Sequence, residues 1–542
     1  MIETAIGKLR LLAASGLLAT TAGAALQAQA PAGPADAQGR CAALAGAFGD
    51  GVAVTEAALE AAGPMRAAGG PDAQLPQHCR VRGVIGRRTG VGGREFGTRF
   101  ELRLPSEWNG RFLFQGGAGL DGQVSPAIGR IANSAQAPAL ARGFAVVSTD
   151  AGHSGSMVDA SFGVDQQARV DYAYAAIGEV TPVAKALVQR FYGRAPAHSY
   201  FVGCSNGGRQ ALTAAERFPL LFDGIVAGDP TMRFSRVAID EAWNLNVLAR
   251  AAPRDAAGNP LIARVFSLRD LALVKTALLK RCDARDGLAD GQIQDWKACD
   301  FDPVVLQCRK GQTKACLSPN QVGALRELHR GPHTPASGSI YGPFNYDTGV
   351  AGSAWRGMRL GSAQSGAANS ADATLGLGML RMFQLTPPDP QFDPWGHVDW
   401  DQLLHRVAAT AAIGDADSPF LSTFALHGKL IAYNGLSDQG LASSELVDWY
   451  RRALAASGAG AGEAMRLYLV PGMTHCGGGE ATDRFEMLDA IVDWVEHGKA
   501  PDRVPAQTSS DPALSRPLCP YPMVARYKGG NPADAASFQC SV

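Results

Sequence analysis

Ser199 to Val202 is a short apolar run of strand-forming residues that leads directly into Gly203-Cys204-Ser205-Asn206-Gly207, and a helical pattern starts at Arg209 and runs to Phe218. A G-x-S-x-G turn between a strand and a helix is a demanding arrangement. The turn is sharp enough that a Cβ at the flanking positions collides with neighbouring backbone, so glycine is required there. It holds the serine hydroxyl above the carboxyl edge of a sheet and leaves the next backbone N–H at a helix start, aimed at developing negative charge.

The rest of the chain has the rhythm such a turn needs. Arg99 to Leu104 alternates as an antiparallel strand stopped by Pro105, and Trp108-Asn109-Gly110 is a turn. Arg111 to Gln115 reads as a strand ending in Gly116-Gly117-Ala118-Gly119, Gly143 to Thr149 as another, and Tyr172 to Tyr192 as a helix. Phe222 to Ala227 is a further strand, ending at Gly228-Asp229-Pro230. The alternation stops near 232 and returns with strands at Lys429 to Asn434 and Met465 to Val470 and helices at Ser443 to Ala455 and Asp483 to His497. Strands alternating with helices predict a parallel sheet covered on both faces. The expected fold class is α/β: an α/β-hydrolase core formed by 31–230 and 426–542, with 231–425 inserted as a lid. The insertion reads as largely irregular.

A serine needs a base, and in this fold the partners follow as Asp or Glu, then His, each just past a strand. Asp438 follows the strand that ends at Asn434, and His475 follows the strand that ends at Val470. His427, Asp415 and Asp417 are rivals, but each precedes its strand and would lie at the far edge of the sheet. The expected catalytic set is Ser205, His475 and Asp438, with the N–H groups of Asn206 and Gly117 as oxyanion donors.

The first thirty residues read as an export signal: Lys8 and Arg10, then the apolar Leu11 to Ala25, then Ala28-Gln29-Ala30. No later apolar run is long enough to span a bilayer. A secreted or periplasmic location follows. Ten cysteines, an even number with no C-x-x-C pair, then predict disulfides, not metal thiolates. The pairs 282/299, 308/316 and 519/540 look local. Cys204 precedes Ser205 and Cys476 follows His475, so a bridge between them is within reach if the Cβ vectors agree. Lys+Arg and Asp+Glu both total 50, which gives no field to attract nucleic acid or an anionic membrane. The sequence does not fix the oligomeric state.

Cys204-Ser205, Asp438 and His475-Cys476, together with Trp108-Asn109-Gly110-Arg111-Phe112, Thr149-Asp150-Ala151-Gly152-His153 and Phe222 to Gly228, resemble the tannase and feruloyl esterase family, which includes the mono(2-hydroxyethyl) terephthalate hydrolases. The resemblance implies bridges Cys41–Cys79, Cys204–Cys476, Cys282–Cys299, Cys308–Cys316 and Cys519–Cys540. It implies a small aromatic ester as substrate, of hydroxycinnamic or gallic acid, or a terephthalate monoester. Trp355, Phe383 and Phe344 are candidates to flank a ring, and Arg356, Arg359 and Arg381 to receive a carboxylate or phenol.

Cys282-Asp283-Ala284-Arg285-Asp286-Gly287-Leu288-Ala289-Asp290-Gly291 sets three carboxylates among glycines, a donor set suited to a hard cation. The resemblance makes it a structural Ca2+ site, with Asp283, Asp286 and Asp290 binding by side chain and Leu288 and Gln292 by carbonyl. A non-catalytic calcium-binding scaffold and a peptidase on the same fold are the competing readings.

Overall fold

The computed structural model describes residues 34–49, 51–65, 73–458 and 460–542. The expected export signal, 1–30, lies outside them. A ten-stranded sheet organises the molecule. Its strands are β1 (Gly46–Ala47), β2 (Val52–Glu60), β3 (His78–Thr89), β4 (Glu95–Pro105), β5 (Arg111–Gln115), β6 (Ala145–Thr149), β7 (His198–Cys204), β8 (Gly224–Gly228), β9 (Lys429–Gly435) and β10 (Met465–Val470). They lie in the order β1-β2-β3-β4-β6-β5-β7-β8-β9-β10. From β6 to β10 every pairing is parallel, and from β1 to β4 and on to β6 every pairing is antiparallel.

The parallel half is covered on both faces. That is why β7 and β8 read as unbroken apolar runs: Tyr200, Phe201, Ile225, Val226 and Ala227 are all buried. Helix α1 (Ala176–Tyr192) buries Ile177, Val180, Ala184, Leu187, Val188 and Phe191, a stripe at helical spacing, and Gly193 ends it at φ 76°. Helix α2 (Asn206–Arg217) follows the serine and is buried through most of its length.

The connection between β8 and β9 is far more regular than its sequence suggests. It contains α3 (Phe234–Ala251), α4 (Leu268–Cys282), α5 (Pro319–Arg330) and α6 (Trp400–Gly414). Ser267 and Ser318 cap α4 and α5, with Asp270 and Gln321 completing the reciprocal bonds. The segment has its own apolar core around Trp243, Leu248, Phe266, Leu271, Leu278 and Leu325. A second cluster, around Tyr172, Phe234, Leu380 and Phe383, joins it to the sheet.

Between β9 and β10 the helix α7 (Ser443–Ala456) packs beside β9, and α8 (Met487–His497) follows β10. Helix α8 starts later than Asp483, because Arg484–Phe485 pair instead with Ala506–Gln507. The last residues leave the main sheet. Val524–Tyr527 and Phe538–Ser541 form a hairpin, bridged to Leu518's neighbour by Cys519–Cys540. All five implied disulfides are present, which fits an oxidising compartment. No helix among the described residues is long and apolar enough to cross a membrane.

Candidate active site

The carboxyl ends of β5, β7, β8, β9 and β10 share one edge, and each delivers a part of the site. Ser205 sits directly after β7 at φ 62°, ψ −124°, a strained conformation for a non-glycine residue. Its N–H is held by the Gly228 carbonyl at 3.0 Å. The flanking glycines are obligatory. A Cβ on Gly203 would stand 2.4 Å from the Gly207 backbone, and one on Gly207 would stand 2.6 Å from the Gly117 carbonyl oxygen.

His475 Nδ1 and Asp438 Oδ2 are 2.7 Å apart. Asp438 is fully buried, and its other oxygen accepts the N–H groups of Gly440 at 2.8 Å and Leu441 at 2.9 Å. Burial alone would raise Asp438, but the His475 charge and these hydrogen bonds leave its pKa below the usual carboxylate value. Burial would likewise lower His475, yet the Asp438 charge and hydrogen bond outweigh it and push the imidazole up to about 9. The His475 side chain keeps 30% exposure, so its far edge reaches the cavity that Ser205 lines. The rivals are elsewhere: Asp415 accepts the N–H and hydroxyl of Ser235, Asp417 pairs with Arg233, and His427 is exposed before β9.

Cys204 and Cys476 are bonded, with Cα atoms 6.0 Å apart. The serine and histidine loops are thereby cross-linked one residue from each functional side chain. A further link joins the Asp438 and His475 loops, Ser437 N–H to the Met473 carbonyl at 3.0 Å. The β8–β9 connection fastens the same loops: Asp347 accepts the Gly472 N–H at 2.9 Å, and Gly349 N–H donates to Ser437 Oγ at 3.0 Å.

Asp229, at the end of β8, is a site residue that the sequence reading passed over as a strand end before Pro230. It is fully buried. Its two oxygens accept the N–H groups of Gly435 at 2.8 Å and Cys476 at 3.2 Å. Ligand atoms of Asp229, Asp438 and His475 lie within 4.8 Å of one another. Burial, then the Asp438 charge, raises Asp229 well above the ordinary carboxylate range, while the nearby His475 charge opposes the rise.

The expected oxyanion donor Gly117 is committed elsewhere. Its N–H donates to Gln210 Oε1 at 2.8 Å, because α2 brings Gln210 under the loop after β5. Gln210 also donates to Asp121 at 3.1 Å, and Asp121 accepts from the Asn206 side chain. Asn206 Oδ1 in turn accepts from Arg209 Nε at 2.9 Å and from the Tyr172 hydroxyl at 3.1 Å. This buried network locks the loop after β5 to the first turn of α2. Gly119 and Leu120 of that loop line the cavity, and the Leu120 N–H is taken by the Met157 carbonyl.

The cavity holds about 140 Å³, close to the ~150 Å³ that takes one benzene ring. Ser205, His475, Phe234, Val237, Met358, Leu375, Met379 and Glu241 line it, among others. None of the expected ring-flanking residues does. Trp355 packs edge-on to Phe266, Phe383 is buried against Tyr172 and Phe162, and Phe344 lies under Arg359. The expected arginines are also engaged. Arg356 donates to the Ala263 and Phe266 carbonyls, Arg381 to the Phe392 carbonyl, and Arg359 is buried between Asp240 and Asp372. Buried partners consumed charges that in the sequence look free.

A family model described as tannase and feruloyl esterase matches residues 79–541. The chain belongs to the tannase and feruloyl esterase family. It is 41% identical to a mono(2-hydroxyethyl) terephthalate hydrolase of Piscinibacter sakaiensis, over 86% of this chain and 85% of that one. It is 33% identical to an uncharacterized esterase of Xanthomonas campestris, over 98% of this chain and 94% of that one. The fold matches the crystal structure of feruloyl esterase B from Aspergillus oryzae with a TM-score of 0.77 at 24% identity, covering 93% of this chain and all of that one. This family member is a carboxylic ester hydrolase.

In this esterase the acidic loop lies far along the chain from Ser205 and packs on the C-terminal hairpin. Asp283 accepts the N–H groups of Asp290 and Gly291, and Asp286 those of Leu288 and Gln294. Asp290 pairs with the buried Arg516. Burial, with Asp290 and Asp283 adding, pushes Asp286 up to about 6. The donors are all oxygen, as a hard divalent cation requires, but Asp283, Asp286 and Asp290 are not among the groups of described residues whose carboxylate oxygens lie within 4.8 Å of one another.

Proposed function

We propose that this esterase is exported and cleaves esters of aromatic acids, hydroxycinnamic or gallic, through an acyl-enzyme. The observation that carries the reading is the Asp438–His475 pair at 2.7 Å, on the rim of an apolar cavity that also holds Ser205 and fits one ring. His475 takes the Ser205 proton as Oγ attacks the ester carbonyl. Asp438 fixes the imidazole tautomer and stabilises its charge. The Asn206 N–H at the start of α2 holds the oxyanion, and with Gly117 committed to Gln210 the second donor is Gly119. His475 gives the proton to the departing alkoxide, then draws one from the water that releases the acid.

The segment 231–425 acts as the lid, since Phe234, Val237, Met358, Leu375 and Met379 form most of the cavity's apolar wall. Asp283, Asp286 and Asp290, with the carbonyls of Leu288 and Gln292, would hold Ca2+, which would brace the loop against the C-terminal hairpin and take no part in the chemistry.

The test is a panel of methyl ferulate, methyl gallate and mono(2-hydroxyethyl) terephthalate, with burst release from p-nitrophenyl esters. Turnover of the first two and no burst in Ser205→Ala are expected. A Ser205→Ala enzyme that still turns over would end the reading. A terephthalate monoester is the second reading, favoured by the 41% identity to a hydrolase of that name. Against it, no Lys or Arg is among the described residues lining the cavity.

A further inference from the structure

Among the described residues, Glu241 is the one carboxylic residue on the cavity wall. It lies on α3, is 4% exposed, and its Oε2 has no hydrogen-bond partner. The apolar part of that wall includes Phe234, Val237, Met358, Leu375 and Met379, and Thr231 and Gln439 also line the cavity. A buried polar atom without a partner is destabilising. Oε2 is sealed against Gly376, but the Glu241 side chain lines the cavity, so a group arriving there can partner the carboxyl through its other oxygen.

The state of this carboxyl follows from counting charges behind it. Asp240, Glu241 and Asp372 are all buried, with Arg359 as the cation between them. Arg359 reaches Asp372 at 3.2 Å and Asp240 at 3.5 Å, and Asp240 also accepts from Asn244 at 2.9 Å. One guanidinium cannot hold three buried anions. The carboxyl outside the ion pair is Glu241. Burial, then the Asp372 and Asp240 charges, raises it well above the ordinary range. A neutral carboxyl offers one O–H donor and one carbonyl acceptor. A phenolic hydroxyl both donates and accepts, so it matches that pair. A carboxylate only accepts, and it would bring another negative charge toward Asp240 and Asp372.

We propose that the Glu241 carboxyl is the subsite for a ring hydroxyl of the acyl group, so that the cavity selects phenolic acyl esters and turns away acyl groups that end in a carboxylate. This rests on the aromatic-ester reading and narrows it.

The experiment compares kcat/KM for methyl 4-hydroxycinnamate and methyl cinnamate, which differ by the ring hydroxyl alone, with mono(2-hydroxyethyl) terephthalate as a third substrate. Wild-type enzyme is expected to favour the hydroxylated ester by about 10–100-fold, and to be slower on the terephthalate. Glu241→Leu should bring the hydroxyl ratio to near one. Glu241→Gln, which keeps a donor and an acceptor, should hold the ratio within about threefold of wild type. Gly376→Ala is an independent variant, because its Cβ would stand 2.4 Å from Glu241 Oε2 and displace the carboxyl. It too should lower the ratio. Ratios are read within each variant, so partial unfolding cancels. A flat wild-type ratio, a ratio unmoved in Glu241→Leu and Gly376→Ala, or faster terephthalate turnover overturns the subsite. Failure of both cinnamates while p-nitrophenyl acetate is cleaved overturns the aromatic-acid reading instead.

Discussion

Replacing Cys204 and Cys476 together by alanine separates two jobs that one bridge performs. The bridge closes a span of 272 residues, for which chain entropy alone is worth about 5 kcal/mol. Total stability is typically 5–15 kcal/mol, so the melting temperature must fall by several degrees. The effect on chemistry has a different origin. Without the bridge, the His475 loop is still held by Asp229 on the Cys476 N–H at 3.2 Å, by Ser437 on the Met473 carbonyl at 3.0 Å, and by the Asp438 pair at 2.7 Å. None of these reaches the Ser205 loop as directly as the sulfur link does. A drift of about 1 Å between nucleophile and base costs on the order of 100-fold. The expected loss is therefore in kcat, about 10–100-fold, with KM little changed. The assay is steady-state hydrolysis of methyl ferulate at 25 °C, well below both melting transitions, with near-ultraviolet circular dichroism to verify the fold. Wild-type kcat in a variant whose melting temperature has dropped would refute the positioning role and leave the bridge as a staple only. Dithiothreitol on the wild-type enzyme should reproduce the order of events, activity falling before the core unfolds.

The acid limb of kcat/KM should lie above the ordinary histidine value of 6.5, toward 9, because only neutral His475 accepts the serine proton and Asp438 raises its pKa; Asp438→Asn should move the limb down while cutting kcat by about 10⁴. In Asp229→Asn the limb should move down, since Asp229 adds to the rise of His475, and stability should fall by about 1–3 kcal/mol because one amide oxygen cannot serve both the Gly435 and Cys476 N–H groups as the two carboxyl oxygens do. An unmoved limb would show that Asp229 adds no charge beside His475. Exhaustive EDTA should lower the melting temperature and calcium should restore it, with kcat at 25 °C unaffected; an unchanged melting temperature removes the calcium site.

The parts of the fold that the sequence made legible are those buried on both faces. Arg111–Gln115 and Met465–Val470 have their expected bounds, because a strand inside a covered parallel sheet is a continuous apolar run. Val52–Glu60 and His78–Thr89 escaped. They are charged strands that stabilise each other by cross-strand pairs, Arg80 with Glu56 and Glu60, and Arg82 with Glu56. No periodicity of apolar residues announces such a pair. The helices α4 and α5 were also missed, although Ser267 with Asp270 and Ser318 with Gln321 are capping boxes visible in the sequence. At the site, Asp438 and His475 were legible because position after a strand is a chain-order property. Asp229, Gly117's bond to Gln210, the burial of Arg359 and the carbonyl partners of Arg356 and Arg381 were not, since each depends on what another segment brings against it.

Those illegible residues share a cause. Ser205 at φ 62° and Cys476 at φ 59° hold unfavourable backbone conformations, and Asp438 is an ion without exposure. None of these persists unless its surroundings over-determine it. The surroundings are Asp229 on two backbone N–H groups, Asp347 and Gly349 reaching in from the β8–β9 connection, the Asp121–Asn206–Gln210 network under the loop after β5, and the Cys204–Cys476 bridge. None of the four is a strand pairing of the sheet, and two of them are the inserted segment and the sulfur link. The sheet accordingly places the strand ends, while the insertion and the bridge fix the side chains on them. A variant that loses the insertion should keep a sheet and lose the registration of His475 with Ser205. This is why the segment that shapes the cavity is inseparable from the machinery beneath it.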